Sequence, residues 1–318
     1  MTDQRSQSNS ATVYDLSDRT QIELTGADRA KFLHGFCTND IKSLQPGQGC
    51  EALLTNIKGR VLGHLFVFAG PGSLWLETVP GQEQALIAHL DRYVIREDVQ
   101  LNGRSADRGE LLVTGKHAAQ LLMLDDGLPL YGSVMREAFG NVLEIRRVDL
   151  LDEPGFLLSI PRSMVEPTRL SLLAVGCGPG SADEFETRRI QSGMPWYGRD
   201  ITDDNLAQEV GRTKQCISFT KGCYLGQEPI ARLDAMGHTN RELRRIQFAP
   251  GMKPAAGAVM FAADTDDEAG RVTSVAPLSN SSGETAALGY LKTRFSQAET
   301  RVRTDSNGSA CFGIVQPA

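Results

Sequence analysis

No stretch of this chain approaches the roughly 20 consecutive apolar residues needed to cross a bilayer. Its most apolar segment, residues 61–70, is interrupted by Gly63 and His64. The N-terminal run MTDQRSQSNSA lacks an apolar core and carries Asp3 near its start, which argues against a secretory signal and against an acid-poor transit peptide. Six cysteines are scattered with no C-x-x-C among them, so a zinc ribbon is excluded and reduced thiols in a cytoplasmic setting are expected. There is no basic excess. The net charge is −6 and the pI about 5.5, a poor match for wrapping a nucleic-acid backbone. Repeats, heptads and low-complexity tracts are missing as well, and neither a membrane nor a nucleic acid is an expected partner.

What is present is ordinary globular material: 318 residues, 41% hydrophobic and 23% charged, enough for about two domains at roughly 150 residues each. Residues 1–11 read as a disordered tail. Residues 12–240 read as mixed α and β, divisible at about 12–105 and 106–240. A turn leads into a helix carrying Phe32, Leu33 and Phe36, and Pro46-Gly47 ends it. Strand-like runs at 50–56 and 59–68 form a hairpin; another strand at 74–79 and an amphipathic helix over 82–95 follow. Further strands are expected at 111–114, 142–150 and 155–160, with a helix at 116–124. Ser181 and Glu184 form a capping box for a helix that Gly193 and Pro195 close. From residue 241 short strands at 243–248, 258–263, 270–275, 286–291 and 311–315 alternate with Pro, Gly, Asp and Ser turns, predicting a small antiparallel β-barrel over 241–318.

The most informative stretch is Ile217-Ser218-Phe219-Thr220-Lys221-Gly222-Cys223-Tyr224-Leu225-Gly226-Gln227-Glu228. It reads as a short strand, a Lys-Gly turn that presents Cys223, and a polar pair opening the next segment. A cation at Lys221 would lower the thiol pKa and raise its nucleophilicity. The alternative is a buried, inert cysteine beside a turn.

The octapeptide KGCYLGQE resembles the signature of the YgfZ family of folate-binding proteins, relatives of the glycine-cleavage T-protein and of a mitochondrial iron–sulfur assembly factor. Arg188-Arg189-Ile190-Gln191-Ser192-Gly193-Met194-Pro195, Ala231-Arg232 with Met236-Gly237, Thr38-Asn39-Asp40-Ile41 and Gly270-Arg271-Val272-Thr273-Ser274 are similar to the family's other segments, in the same order. The resemblance implies α+β units and a barrel around a central channel that takes tetrahydrofolate or a one-carbon derivative. It implies folate contacts at Gln191, Asn39, Gln227, Glu228 and Arg232, a reactive Cys223 assisted by Lys221, and no metal site. It also implies iron–sulfur client proteins, and through them a link to tRNA modification.

One departure stands out. T-proteins carry G-G-x-x-D-D-L, whose aspartate assists one-carbon transfer; here the stretch is Gly59-Arg60-Val61-Leu62-Gly63-His64-Leu65, with both acids missing. His64 is either a proton-transfer group or a strand residue with a structural partner. Gln191 stands where a T-protein has the glutamate that holds the pterin, and an amide brings no full charge. Arg188-Arg189 and Arg244-Arg245 are candidates for a folate's glutamate tail or for solvated faces; Trp196 and Tyr197 are candidates for a pterin wall or for core. Gly176-Cys177-Gly178-Pro179-Gly180 reads as a loop, because no Lys-Ser/Thr follows it. Two functions remain open: an accessory protein for iron–sulfur protein maturation or repair, or a folate-dependent one-carbon transferase without the usual acid.

Overall fold

The computed structural model describes residues 11–124, 127–265, 267–306 and 309–317. The expected tail therefore lies outside the described residues except for Ala11, which is buried. The first stretch contains β1 (Thr12–Asp15), β2 (Thr20–Thr25), α1 (Arg29–His34), β3 (Gly49–Thr55), β4 (Val61–Ala69), β5 (Leu74–Thr78), α2 (Glu83–Asp91) and β6 (Gln100–Gly103). Next come β7 (Arg108–Thr114), α3 (Ala118–Leu121), β8 (Ser133–Ala138), β9 (Asn141–Val148), β10 (Gly155–Pro161), α4 (Val165–Ala174), β11 (Gly178–Pro179) and α5 (Ala182–Ser192). Helices α6 (Thr213–Cys216) and α7 (Gln227–Met236) precede the strands β12 (Arg241–Phe248), β13 (Val259–Ala262), β14 (Glu268–Val275), β15 (Thr285–Lys292), β16 (Arg301–Ser306) and β17 (Ser309–Val315).

The strands make a five-stranded sheet ordered β3-β4-β5-β2-β6, a six-stranded sheet ordered β11-β1-β7-β10-β9-β8, and a closed barrel ordered β12-β15-β14-β13-β16-β17. The predicted α+β class and C-terminal barrel are both present. Strand β1 opens the chain yet belongs to the second sheet, pairing antiparallel with β7. The Gly-rich stretch at 176–180 is not wholly a loop: Gly178 and Pro179 pair in parallel with β1 as strand β11.

Burial explains the layering. One face of the first sheet (Ile22, Leu24, Leu54, Leu65, Val67) packs on Leu33 of α1 and on Leu86 and Leu90 of α2. Leu111, Val113, Phe156 and Leu158 of the second sheet pack with Ala118 of α3 and Leu172 of α4. Between the sheets lie Tyr14, Phe66, Phe68, Leu112 and Leu157. Each such side chain contributes about 1.5–3 kcal/mol by leaving water. This inner layer also holds charges. Arg19 pairs with Glu110 at 2.8 Å, while Arg146 pairs with Glu77 and, at 2.8 Å, with Glu144. Arg146 lies 5.1 Å from the ring centres of both Phe68 and Trp75.

Candidate functional site

The Ile217–Glu228 segment begins not as a strand but as a loop lying against the first unit. Ser218 N–H donates to Thr38 O at 3.0 Å and Leu225 N–H to Gly35 O at 2.9 Å; Thr55 Oγ1 donates to Leu225 O at 2.7 Å. The residue that needs left-handed backbone is Gly226, with φ +86°, and not Gly222. A Cβ at Gly226 would run into the carbonyl of Asn56 in the β3–β4 turn, so the motif and that hairpin touch backbone to backbone.

Lys221 points inward. Its ammonium donates to the carbonyls of His34, Cys37 and Asn39 at 2.6, 2.6 and 3.0 Å and sits 4.6 Å from the Tyr224 ring centre. Burial lowers its pKa to about 8, which leaves the charged form dominant at neutral pH. Its three protons tie the loop to the end of α1 instead of reaching outward beside the thiol. Cys223 is exposed, whereas Cys37, Cys50, Cys177, Cys216 and Cys311 are buried. Gln227 opens α7, exposed Glu228 lies in its first turn, and Arg232 is on its exposed face.

A second centre lies beneath the hairpin, and sequence pattern alone did not show it. Glu51, in the middle of apolar β3, is fully buried. Its carboxylate accepts from Arg212 Nε at 2.8 Å and from Arg212 Nη2. Tyr131 Oη donates to it at 2.6 Å, His64 Nε2 lies 2.6 Å away, and Cys216 Sγ is at 3.2 Å. Hydrogen bonds and charge from His64 and Arg212 outweigh desolvation and hold Glu51 far below the usual carboxylate range; burial and Glu51 together push the Cys216 thiol well up. His64 is thus a strand residue with a structural partner. Tyr131 takes a left-handed backbone, φ +62°, a costly conformation for a bulky residue. Glu51, His64 and Cys216 offer ligand atoms within 4.8 Å of one another. A cation would nevertheless have to displace a guanidinium already paired with both carboxylate oxygens and take up a protonated thiol. The donor set does not suit a metal.

Above this centre is a cavity of about 280 Å³ between the end of α5, the 210–215 segment and the barrel, walled by Asp152, Gly193, Arg212, Gln215, Arg244 and Arg245 among others. Of the tail candidates, the 244–245 pair faces this cavity. Arg189 does not: it is buried against Asp200 at 2.9 Å and Glu186 at 2.6 Å. Arg188 pairs with Glu153. Gln191 lies beside the wall, its carbonyl accepting from Arg245 Nη1 at 2.8 Å. Asn39 braces the same region, its Nδ2 donating to Glu51 O at 2.8 Å and Gln215 O at 2.9 Å. Gln227, Glu228 and Arg232 are not in the wall. Trp196 lines a separate cavity with Tyr14 and Phe185, and Tyr197 packs with Ile201 and Val210.

Comparison with known proteins follows this geometry. The family model described as the GCVT N-terminal domain matches residues 2–220, more than half of the chain. The chain belongs to the GCVT N-terminal domain family. Among the family's relatives, a chloroplastic protein of Arabidopsis thaliana named a "putative transferase" is 28% identical over 96% of this chain and 70% of its own length. An aminomethyltransferase of Nostoc is 26% identical, over 96% of this chain and 84% of that protein. The crystal structure of the glycine cleavage system aminomethyltransferase T from Bartonella henselae superposes with a TM-score of 0.85 at 21% identity, covering 96% of this chain and 85% of that one. The T-protein-like fold is therefore established. Among the described residues no helix is long and apolar enough to cross a membrane.

Proposed function

We propose that this member of the family is a reduced-folate-binding accessory protein of the YgfZ type, supporting iron–sulfur protein maturation or repair in the cytoplasm. The observation that carries the reading is the state of His64. At the hairpin position where a transferase presents a carboxylate, this chain has an imidazole sealed against Glu51, while the cavity above keeps three guanidinium groups in its wall. That favours holding an anionic folate over transferring its one-carbon unit, because transfer draws on a carboxylate near the reacting atoms. Aminomethyltransferase relatives support folate as the ligand class. Resemblance of the Lys221–Glu228 octapeptide to the YgfZ signature, together with the exposure of Cys223, supports thiol chemistry with iron–sulfur clients. Gln191, beside the cavity, is the proposed pterin contact, with Asn39 bracing the region around it; Gln227, Glu228 and Arg232 are proposed to shape the segment that presents Cys223.

The test joins binding to phenotype. Tetrahydrofolate should bind the purified protein, and Gln191→Ala should weaken it by about 1–3 kcal/mol if the pterin groups stay buried. Cys223→Ala should fold and bind folate, yet fail to restore iron–sulfur enzyme activity in a deletion strain. Full rescue by Cys223→Ala would remove the thiol from the function. Robust methylenetetrahydrofolate formation in a reconstituted glycine-cleavage assay would favour the transferase instead.

A further inference from the structure

Where the loop over residues 199–205 lies against the barrel, a second cavity of about 390 Å³ opens, and it shares no wall residue with the cavity beside Gln191. Tyr290 of β15 reaches into it. The side chain is only 7% exposed and its ring packs with Ile190, Leu243 and Leu288, yet its Oη has no hydrogen-bond partner among the described residues. A buried hydroxyl without a partner is costly, and it calls for one from outside the chain. Burial, with Glu209 and Asp200 nearby, raises the phenol pKa, so Tyr290 is a neutral O–H donor at physiological pH. Cations surround it. In the barrel register Tyr290 lies opposite Arg271 of β14, and the next pair on the same face is Arg241 with Lys292. All three line the cavity. Arg241 gives Nε to Glu209 and Nη2 to Asp204 O, each at 3.1 Å, which leaves Nη1. Arg271 is exposed and gives Nη1 alone, to Gly257 O at 2.6 Å. Lys292 gives one proton to Glu268 O at 2.8 Å. The buried acid in the wall is already filled: Asp200 accepts from Thr273 and Ser274 on Oδ1 and from Arg189 and the Trp196 N–H on Oδ2. Asp204 and Glu268 are exposed to solvent.

We infer that this cavity is a further binding site, one for a phosphate group, with Tyr290 as its buried donor and Arg241, Arg271 and Lys292 as its charge. The donors stand on three different strands and approach from separate directions. One guanidinium fork suffices for a planar carboxylate, whereas a phosphate group has three strong acceptor oxygens to distribute among separate donors. The volume is within the roughly 300–1,000 Å³ of small-molecule sites, so there is room for a body beyond the phosphate. Thr202, Asn205 and Thr273 in the wall make that body a polar one, as in a sugar phosphate. The inference stands apart from the folate reading.

Titration calorimetry of the full chain with ribose 5-phosphate, inorganic phosphate and ribose tests this. Ribose 5-phosphate should bind saturably at one site, and ribose about tenfold more weakly or not at all. Tyr290→Phe and Arg271→Gln should each weaken the phosphate ester by about tenfold, the scale of a hydrogen bond to a charged group. Without ligand, Tyr290→Phe should melt no lower than wild type, because the ring keeps its packing and only an unpartnered oxygen is removed; a hydroxyl with a structural role would lower the Tm instead. A tighter fit for ribose 5-phosphate than for inorganic phosphate supports an ester as the occupant, and equal affinities support free phosphate at the same site. Failure of both phosphates to bind, or affinities unchanged in both variants, overturns the inference. Displacement of ribose 5-phosphate by tetrahydrofolate would place these cations in the folate site and overturn it as well.

Discussion

Cys223 stands exposed in a chain whose five other thiols are buried. Burial pushes Cys37 up to about 12, and thiols held protonated react slowly. Titration of the native protein with a thiol-specific disulfide reagent should therefore release close to one equivalent within minutes. All six should appear only in denaturant, and a second fast equivalent would contradict the burial pattern. Lys221 is the opposite kind of residue. Sequence suggested an activator of the neighbouring thiol, but its ammonium is committed to three carbonyls. Lys221→Met leaves those carbonyls without their donor and should cost about 3 kcal/mol in urea unfolding. A loss under 0.5 kcal/mol would show that water replaces the ammonium freely.

At the scale of elements, legibility followed from how local the determinants are. Helix α5 was readable because its ends are written in adjacent residues. Ser181 Oγ accepts from Glu184 N–H at 3.1 Å, and Gly193 closes the helix in left-handed geometry, φ +78°. The β3–β4 hairpin and five of the six barrel strands were readable as short strand-like runs bounded by turn residues. Strand β16, RVRTDS, was not: Val302 and Thr304 point inward while Arg301 and Asp305 are exposed, so its composition resembles a loop. The Glu51 centre was hidden for a different reason. A lone acid inside CEALLT was a visible anomaly, but its partners His64, Tyr131 and Arg212 lie 13, 80 and 161 residues away, and no spacing rule connects them. Gly226 belongs to this scale too, since it lets the motif loop lie on the hairpin turn. Gly226→Ala combines a left-handed backbone penalty with a clash against Asn56 O, and should lower unfolding stability by about 3 kcal/mol. A change within 0.5 kcal/mol would mean that the loop and hairpin separate easily.

For the whole molecule, the layer between the two sheets links stability to pH. Burial, aided by Glu110 and Glu23 and opposed by Arg108, raises Glu144 to about 7 from an ordinary 4.5. In that window the folded chain binds more protons than the unfolded one, so this contribution is full below pH 4.5 and lost as pH rises through 7. Because Arg146 also pairs with Glu144, we expect a loss of about 1–2 kcal/mol, smaller than the shift alone implies. Glu144→Gln should flatten the stability profile between pH 4.5 and 7; an unaltered slope would assign the pH dependence to other groups. The closed barrel bears on association. A sheet edge offers a row of unpaired N–H and C=O groups that another chain can extend, but β17 pairs back onto β12, so among the described residues the barrel closes without such an edge. Strand β8, at the margin of the second sheet, does have one, and it places exposed Arg136 and Glu137 there. A partner that grips the closed barrel meets side chains before backbone, and the β8 margin that another strand could extend is guarded by charge.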